Sequence, residues 1–158
     1  MPKQRSVHVE GPQQLDQASG AINYRTVKTT AATLTANESG AICYFTTAAG
    51  QLYTLPPAAP GLHFEFYVQT TATSLVHRIA CASGDFLKGT ILQGTDSTFT
   101  QAAQTANGST HLAWEGNGST TGGILGDSIR VHAQDDTIWQ ISGVNTATGT
   151  EASPFKTT

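Results

Sequence analysis

Residues 126–143, GDSIRVHAQDDTIWQISG, decide the fold class of this 158-residue chain. Ile129 and Val131 alternate with polar residues, which is the two-residue period of a half-buried strand. The polar segment 134–137 predicts a chain reversal, because Asp side chains in turns accept hydrogen bonds from nearby backbone amides. Segment 138–142 alternates again on the way back. The stretch therefore predicts a β-hairpin, and it contains no recognisable catalytic motif.

The rest of the chain carries further strand patterns separated by turn residues. The clearest is 62–69, where Phe64, Phe66 and Val68 share one face and polar or amphipathic side chains share the other. Short strands at such spacing, with no sustained helical period, predict an all-β fold, namely a small antiparallel β-sandwich or barrel. Further strands are expected at 33–35, 41–46, 51–55, 76–81, 89–94 and 111–115 (with Leu112 and Trp114 inward), a loop or edge strand at 94–108, and a flexible glycine-rich loop at 116–123.

The N-terminal part differs in composition from the rest. Residues 1–28 are polar and irregular, and they predict an extended N-terminal arm ahead of a β domain at 29–158 with a short C-terminal tail. Two interpretations stay open: a disordered tail, or an arm that becomes ordered on a partner. In the second, the anchors would be the few apolar and basic side chains of the arm, Lys3, Arg5, Val7, Val9, Leu15, Ile22 and Tyr24.

Charge is scarce in this sequence. Charged residues make up 12% of the chain, against about 25% in an ordinary globular protein. A polar but uncharged surface can be buried against a partner without the desolvation cost of ions. The net charge of -3 disfavours nucleic acid as a partner, because such binders carry a basic stripe. We therefore expect a protein that assembles through neutral surfaces.

The chain shows no secretion or membrane signal. The first ten residues lack an apolar core of a signal peptide, and no apolar run reaches the length of a membrane span. We expect synthesis in the cytoplasm and no membrane partner. In that compartment Cys43 and Cys81 are expected to be two buried thiols rather than a disulfide.

Motifs that carry chemistry are missing. The glycines of 116–123 precede a strand rather than a helix, which disfavours nucleotide binding. Asp135 and Asp136 are expected to serve the hairpin turn. The five histidines, His8, His63, His77, His111 and His132, lack metal-ligand spacing. We expect a non-enzymatic protein without catalytic residues, cofactor or metal, since catalysis would need a triad assembled from distant residues.

Four motifs occur in order between residues 33 and 143. They are Leu34-Thr35-Ala36 with Gly40, Thr54-Leu55-Pro56, Gly61-Leu62-His63-Phe64-Glu65-Phe66, and Gly126-Asp127 followed by Trp139. Their order resembles a β module common in virion proteins of tailed bacteriophages. The resemblance implies a head decoration (cement) protein, a head fibre or a tail-fibre module, and it carries over no catalytic residue.

The short chain favours the decoration protein among these three. The resemblance then implies a structural protein on the capsid surface of the virion, made in the host cytoplasm and binding across subunits of the major capsid protein. It also implies a homotrimer at local threefold positions, with the arm residues as candidate capsid contacts. The alternative is a receptor- or glycan-binding module of a tail or head fibre, in which Trp114, Tyr53 or Tyr67 would be exposed platforms.

Overall fold

A computed structural model describes residues 25–95 and 101–158 of the chain. Within these ranges the structure is built from strands and one short 3-10 helix, Ala36–Glu38, and it holds no helix long and apolar enough to cross a membrane. The prediction of an all-β fold is confirmed. The strands are β1 Val27–Lys28, β2 Ala32–Thr33, β3 Ile42–Phe45, β4 Gln51–Thr54, β5 His63–Val68, β6 His77–Ala80, β7 Phe86–Thr95, β8 Gln101–Asn107, β9 Ala113–Gly116, β10 Ser128–Ala133, β11 Ile138–Ala147 and β12 Phe155–Lys156.

Two sheets pack face to face, which confirms the predicted sandwich. The larger sheet has the order β1-β3-β5-β10-β11-β7-β8, and the smaller has the order β12-β9-β6-β4-β2. The expectation of antiparallel sheets is wrong for about half of the pairings, because β1/β3, β3/β5, β2/β4, β4/β6 and β7/β11 are parallel. The reason is that the chain alternates between sheets. A strand of the opposite sheet carries the chain back, so neighbours such as β3 and β5 run in the same direction.

The predicted hairpin is present as β10 and β11. Its strands are antiparallel, with Val131 opposite Ile141. At the turn, the Asp135 carboxylate accepts hydrogen bonds from the backbone N–H of Thr137 and of Ile138, each at 2.8 Å. These bonds confirm the turn role of Asp135 and lower the pKa of its carboxyl.

An aromatic cluster joins the two sheets. The ring of Phe45 on β3 lies 4.6 Å from His77, 5.3 Å from Tyr53, 6.1 Å from Trp114 and 6.2 Å from Phe66, measured between centroids. All five side chains are buried. Aromatic rings bury large apolar areas and prefer offset-stacked or edge-to-face contacts at these distances. The cluster therefore fixes the separation of the sheets at their centre.

The remaining strand predictions hold with shifted ends. The expected strand 33–35 ends at Thr33, because Thr35 caps the 3-10 helix through its N–H bond to the Glu38 carboxylate at 2.8 Å. The expected strand 89–94 is the centre of the longer β7. The uncertain segment 94–108 contains β8, which lies at the edge of the larger sheet. Leu112 is half-buried and Trp114 fully buried.

The chain joins the sandwich before the predicted arm boundary. β1 pairs with β3, so Val27 and Lys28 belong to the larger sheet. Arg25 also lies on the domain, where its Nε donates to the carbonyl of Gly40 at 2.6 Å. The predicted anchors of the arm all lie outside the described residues: Lys3, Arg5, Val7, Val9, Leu15, Ile22 and Tyr24.

Truncation of Phe66 tests the core assignment. Phe66 is buried and contacts Phe45 and Tyr53, so Phe66→Ala leaves a cavity between the sheets. We expect the free energy of unfolding to fall by about 3–5 kcal/mol, as measured by urea denaturation. Thr105→Ala, at an exposed position of β8, is the control. A loss below about 0.5 kcal/mol for Phe66→Ala would mean that the two faces of β5 are inverted.

Candidate functional site

The outer face of the larger sheet is the broadest regular surface of the domain. Strand alternation turns Phe64, Phe66 and their equivalents inward, so that every second residue of each strand faces away from the smaller sheet. Cross-strand partners share a face, and the strand registers therefore define continuous rows of side chains on the outside. One of these rows is unusual in composition.

This row, which we call the apolar stripe, crosses six strands from β3 to β8. At a strand spacing of about 4.8 Å, it is about 24 Å long. Only its serine is strongly polar. In order across the sheet the residues are Tyr44, Tyr67, Ser128, Val144, Leu92 and Ala103.

Large aliphatic side chains of the stripe are exposed. Val144 is 52% exposed and Leu92 is 44% exposed, and the two lie directly opposite each other on β11 and β7. Leu125, just before β10, is 65% exposed. Single exposed apolar residues are ordinary, but a contiguous set is typical of an interaction surface.

A shallow pocket lies at one end of the stripe. Its volume is about 570 Å³, and the rings of Tyr44 and Tyr67 lie 5.9 Å apart on one side of it. The hydroxyl of Tyr67 donates to a carboxylate oxygen of Glu65 at 3.0 Å. The pocket is lined by Tyr44, Tyr67, Val68, Gln69, Leu125, Gly126 and Asp127.

The charges beside the stripe are largely paired. Glu65 lies 3.1 Å from the guanidinium of Arg25 and 3.8 Å from that of Arg130. Partial burial acts to raise the pKa of Glu65, but the hydrogen bond from Tyr67 and the two arginine charges outweigh it and the pKa is lowered. Glu65 is thus ionised at neutral pH, and the face presents little uncompensated negative charge.

The loop that carries Leu125 is anchored by a buried carboxylate. Asp127 accepts hydrogen bonds from the backbone N–H of Gly123 at 2.8 Å, of Ile124 at 3.1 Å and of Thr146 at 2.8 Å. Burial raises the pKa of this carboxyl, against the opposing effect of the backbone N–H groups. Asp127 therefore ties the loop to β11, and Leu125 is held at the end of the stripe.

The glycine-rich loop 116–123 is packed, and the expectation of a flexible loop is wrong. Gly116, Gly122 and Gly123 are buried. Gly123 lies so close to Gly116 that a Cβ atom there would be 2.6 Å from the Gly116 carbonyl carbon. Asn117 also closes a turn by accepting from the N–H of Ser119 at 2.9 Å. The glycines of this loop therefore allow close packing of its backbone.

A second groove lies on the opposite sheet. It has a volume of about 550 Å³ and is bordered by Leu52, which is 44% exposed, and by Leu75, which is 70% exposed. Arg78 at its side pairs with Glu115. This groove is local and does not continue across the smaller sheet as a row.

Residues considered for chemistry serve structure. Within 25–95 and 101–158, no cluster of three or more His, Cys, Asp or Glu side chains is arranged to hold a metal ion. His77 is buried, and its Nε2 bonds to the carbonyl of Thr70 at 2.7 Å. Cys43 and Cys81 are free thiols. Cys43 is buried as expected, whereas Cys81 is only half-buried, and burial raises the pKa of each to about 12.

Two of the three proposed aromatic platforms belong to the core. Trp114 and Tyr53 are buried, and the Tyr53 hydroxyl donates to the Tyr44 carbonyl at 2.9 Å. Tyr67 remains half-exposed at the pocket. The sequence interpretation missed Leu92, Val144 and Leu125. Their signal was an apolar residue at an outward position of an alternating strand or in a loop.

No protein-family model, curated protein or solved structure matches this chain. The assignment of function therefore rests on the geometry of the domain and on the order of the sequence motifs.

Substitution of Asp127 tests the anchor of the loop. In Asp127→Asn one of the two acceptor oxygens is replaced by an NH₂ group that faces backbone donors. We expect the free energy of unfolding to fall by about 1.5–3 kcal/mol, measured by chemical denaturation. Asp136→Asn, at an exposed position of the hairpin turn, is the matched control and should change it by less than about 0.5 kcal/mol. Equal effects of the two substitutions would contradict the anchoring role.

Proposed function

We propose that this chain is a non-enzymatic structural protein of a tailed bacteriophage. In this proposal it decorates the capsid exterior and stabilises it by binding across subunits of the major capsid protein. The motif order supports the virion class. The single observation that carries the binding role is the apolar stripe on the outer face of the larger sheet, with Val144, Leu92 and Leu125 exposed along it.

The energetics of the outer face suit such a contact. Full burial of one aliphatic side chain is worth roughly 1.5–3 kcal/mol, and the three exposed aliphatic residues are each about half exposed before binding. Their burial would thus contribute a few kcal/mol per copy. Few ions have to be desolvated, since Glu65 beside the stripe already has arginine partners.

Threefold assembly would turn this modest contact into firm attachment. We propose the homotrimer that the motif resemblance implies, placed at local threefold positions of the shell. Three linked copies bind with a high effective concentration, so that avidity exceeds the affinity of one face. The cement function follows, because a trimer in contact with several shell subunits resists their separation. We expect neither cofactor, nucleic acid nor membrane in this role.

The arm would engage the same shell as the outer face. Arg25, the first described residue, places its guanidinium against Glu65, whose side chain is on the outer face. Arg25 thus lies on the side of the domain that carries the stripe, next in sequence to the proposed arm residues. Ordering them costs about 1–2 kcal/mol per residue in backbone entropy, and a shell surface offers contacts for Val7, Val9, Leu15, Ile22 and Tyr24. Lys3 and Arg5 would add salt-sensitive attraction to acidic shell residues.

A receptor- or glycan-binding fibre module is the second candidate. The pocket beside Tyr44 and Tyr67 favours it, because half-exposed aromatic rings with a nearby amide, Gln69, are suited to a sugar ring. Burial of Trp114 and Tyr53 removes the other two platforms. Tyr67→Ala separates the candidates: loss of glycan binding with intact head binding would favour the fibre module.

Charge placed on the stripe tests the decoration role. Leu92→Asp and Val144→Asp put a carboxylate at the centre of the proposed contact. We expect affinity for expanded heads lacking the protein, taken from the phage that encodes it, to fall at least tenfold, about 1.4 kcal/mol. The measurement is saturable co-sedimentation. Leu52→Asp on the opposite sheet is the control, since Leu52 and Leu92 are both 44% exposed. Equal binding by all variants, or no saturable binding of the natural chain, would contradict the proposal.

Removal of the arm tests its separate contribution. We expect deletion of residues 2–20 to leave the β domain folded, as judged by far-ultraviolet circular dichroism, because the described sandwich contacts start at Arg25. Attachment to heads should weaken at least tenfold. Unchanged affinity of the truncated chain would show that the β domain alone carries the binding.

A further inference from the structure

Among the residues that the structure describes, no strand pairs with the outer side of β8, and this edge of the larger sheet carries no charged side chain on β8. β8 spans seven residues, Gln101–Asn107, with the sequence QAAQTAN, and it pairs with β7 on one side. It is the last strand in the order of its sheet. Natural edge strands are usually protected by charges, proline, a bulge or short length. β8 contains no charged residue or proline, and its register with β7 is continuous.

The hydrogen-bond pattern identifies which backbone groups of β8 face outward. Gly108 donates its N–H to the carbonyl of Leu87 at 2.8 Å. In an antiparallel pair, hydrogen-bonded and non-hydrogen-bonded positions alternate. Gly108 is a hydrogen-bonded position, so by this alternation the outward backbone N–H and C=O groups are those of every second residue before it, Gln101, Ala103, Thr105 and Asn107. The N–H of Asn107 agrees, because it bonds to Nδ1 of His111 at 3.0 Å.

The sequence of β8 is nearly symmetric about its middle residue. Read from either end, an amide side chain comes first, alanine second, and a small residue third, with Gln104 at the centre. A strand of this kind is complementary to itself in the antiparallel direction. Pairing two copies places amide against amide and small residue against small residue, and no like charges meet.

We propose that β8 pairs with β8 of a second copy of this chain, antiparallel, across a twofold axis at Gln104. In this register Ala103 lies opposite Thr105 of the second copy. Both present outward backbone groups, so they exchange N–H···O=C bonds. Gln101 faces Asn107, where only the Gln101 N–H and the Asn107 carbonyl can pair, because the Asn107 N–H already bonds to Nδ1 of His111. Gln104 then faces Gln104 of the second copy at a non-hydrogen-bonded position. The two larger sheets become one continuous sheet.

The twofold contact is independent of the capsid proposal and of the threefold contact. It uses the β8 edge, whereas the proposed capsid contact uses the outer face. A twofold contact is compatible with trimers, because on a surface lattice it links neighbouring trimers to each other. In solution it doubles the mass of a single chain, whereas a trimer, with three β8 edges, would join more than one neighbour and form larger species.

Cysteine cross-linking tests the register. Facing Cα atoms at a non-hydrogen-bonded position are about 4.5 Å apart, within the range of about 4.4–6.8 Å that a disulfide spans. We expect Gln104→Cys to form, under mild oxidation, a covalent dimer of twice the 16.5 kDa chain mass. Gln101→Cys is the matched control, because its copies would be about 20 Å apart at about 3.4 Å per residue. The natural chain, which has only the thiols of Cys43 and Cys81 with their raised pKa values, measures the background of cross-linking.

A second variant removes the contact without a cysteine. Thr105→Pro deletes an outward N–H and leaves the bonds to β7 in place, since proline is tolerated when its missing N–H faces solvent. Thr105 is not part of the apolar stripe. We expect sedimentation velocity to show a smaller mass than that of the natural chain at the same concentration, half of it if the species without the contact is a single chain, with an unchanged circular dichroism spectrum. Absence of the Gln104→Cys dimer, equal cross-linking of Gln101→Cys, or equal masses of Thr105→Pro and the natural chain would each overturn the inference. Binding to phage heads is measured in a separate experiment. A failure of the decoration proposal therefore does not change how the cross-linking and sedimentation results are interpreted.

Discussion

The buried carboxylate of Asp127 is the constraint on which the geometry of the outer face depends. It binds Gly123 and Ile124 of the loop and Thr146 on β11 through their backbone N–H groups. Its own carbonyl accepts from Val68, the last residue of β5. These bonds fix where β5 ends and β10 begins. They thereby set the register in which the stripe is contiguous, because a slip of one residue would turn every side chain to the other face.

Local alternation predicted most of the strands, because each face of a strand in a sandwich has one environment. Phe64 and Phe66 illustrate this, since both are buried while Glu65 between them is not. Direction was not predictable in the same way. The parallel pairing of β3 with β5 depends on β4 crossing to the other sheet, and the two-residue period is the same for parallel and antiparallel strands. Alternation thus indicates the faces and leaves the topology open.

The candidate site was less predictable than the fold. Low charge indicated an assembling surface, yet Leu92 and Val144 stand on strands distant in sequence and become neighbours only through the parallel pairing of β7 with β11. Aromatic residues were the natural candidates for a binding platform, and the core uses Trp114 and Tyr53 instead. A large ring on an alternating strand gains more from burial than from exposure. In this sequence, aliphatic residues at outward strand positions indicate the candidate surface better than the aromatic residues do.

The scarcity of charge connects the outer face with the β8 edge. A protein that stays alone in water is helped by charges on its sheet edges and by the absence of contiguous apolar patches. This domain has the opposite features, since β8 lacks charge and Leu92 and Val144 are exposed side by side. Those features disfavour an isolated molecule and favour a covered one, because neutral groups enter a contact without the desolvation cost of ions. The composition therefore supports the two contacts proposed above, with copies of the chain at the edge and a shell against the face.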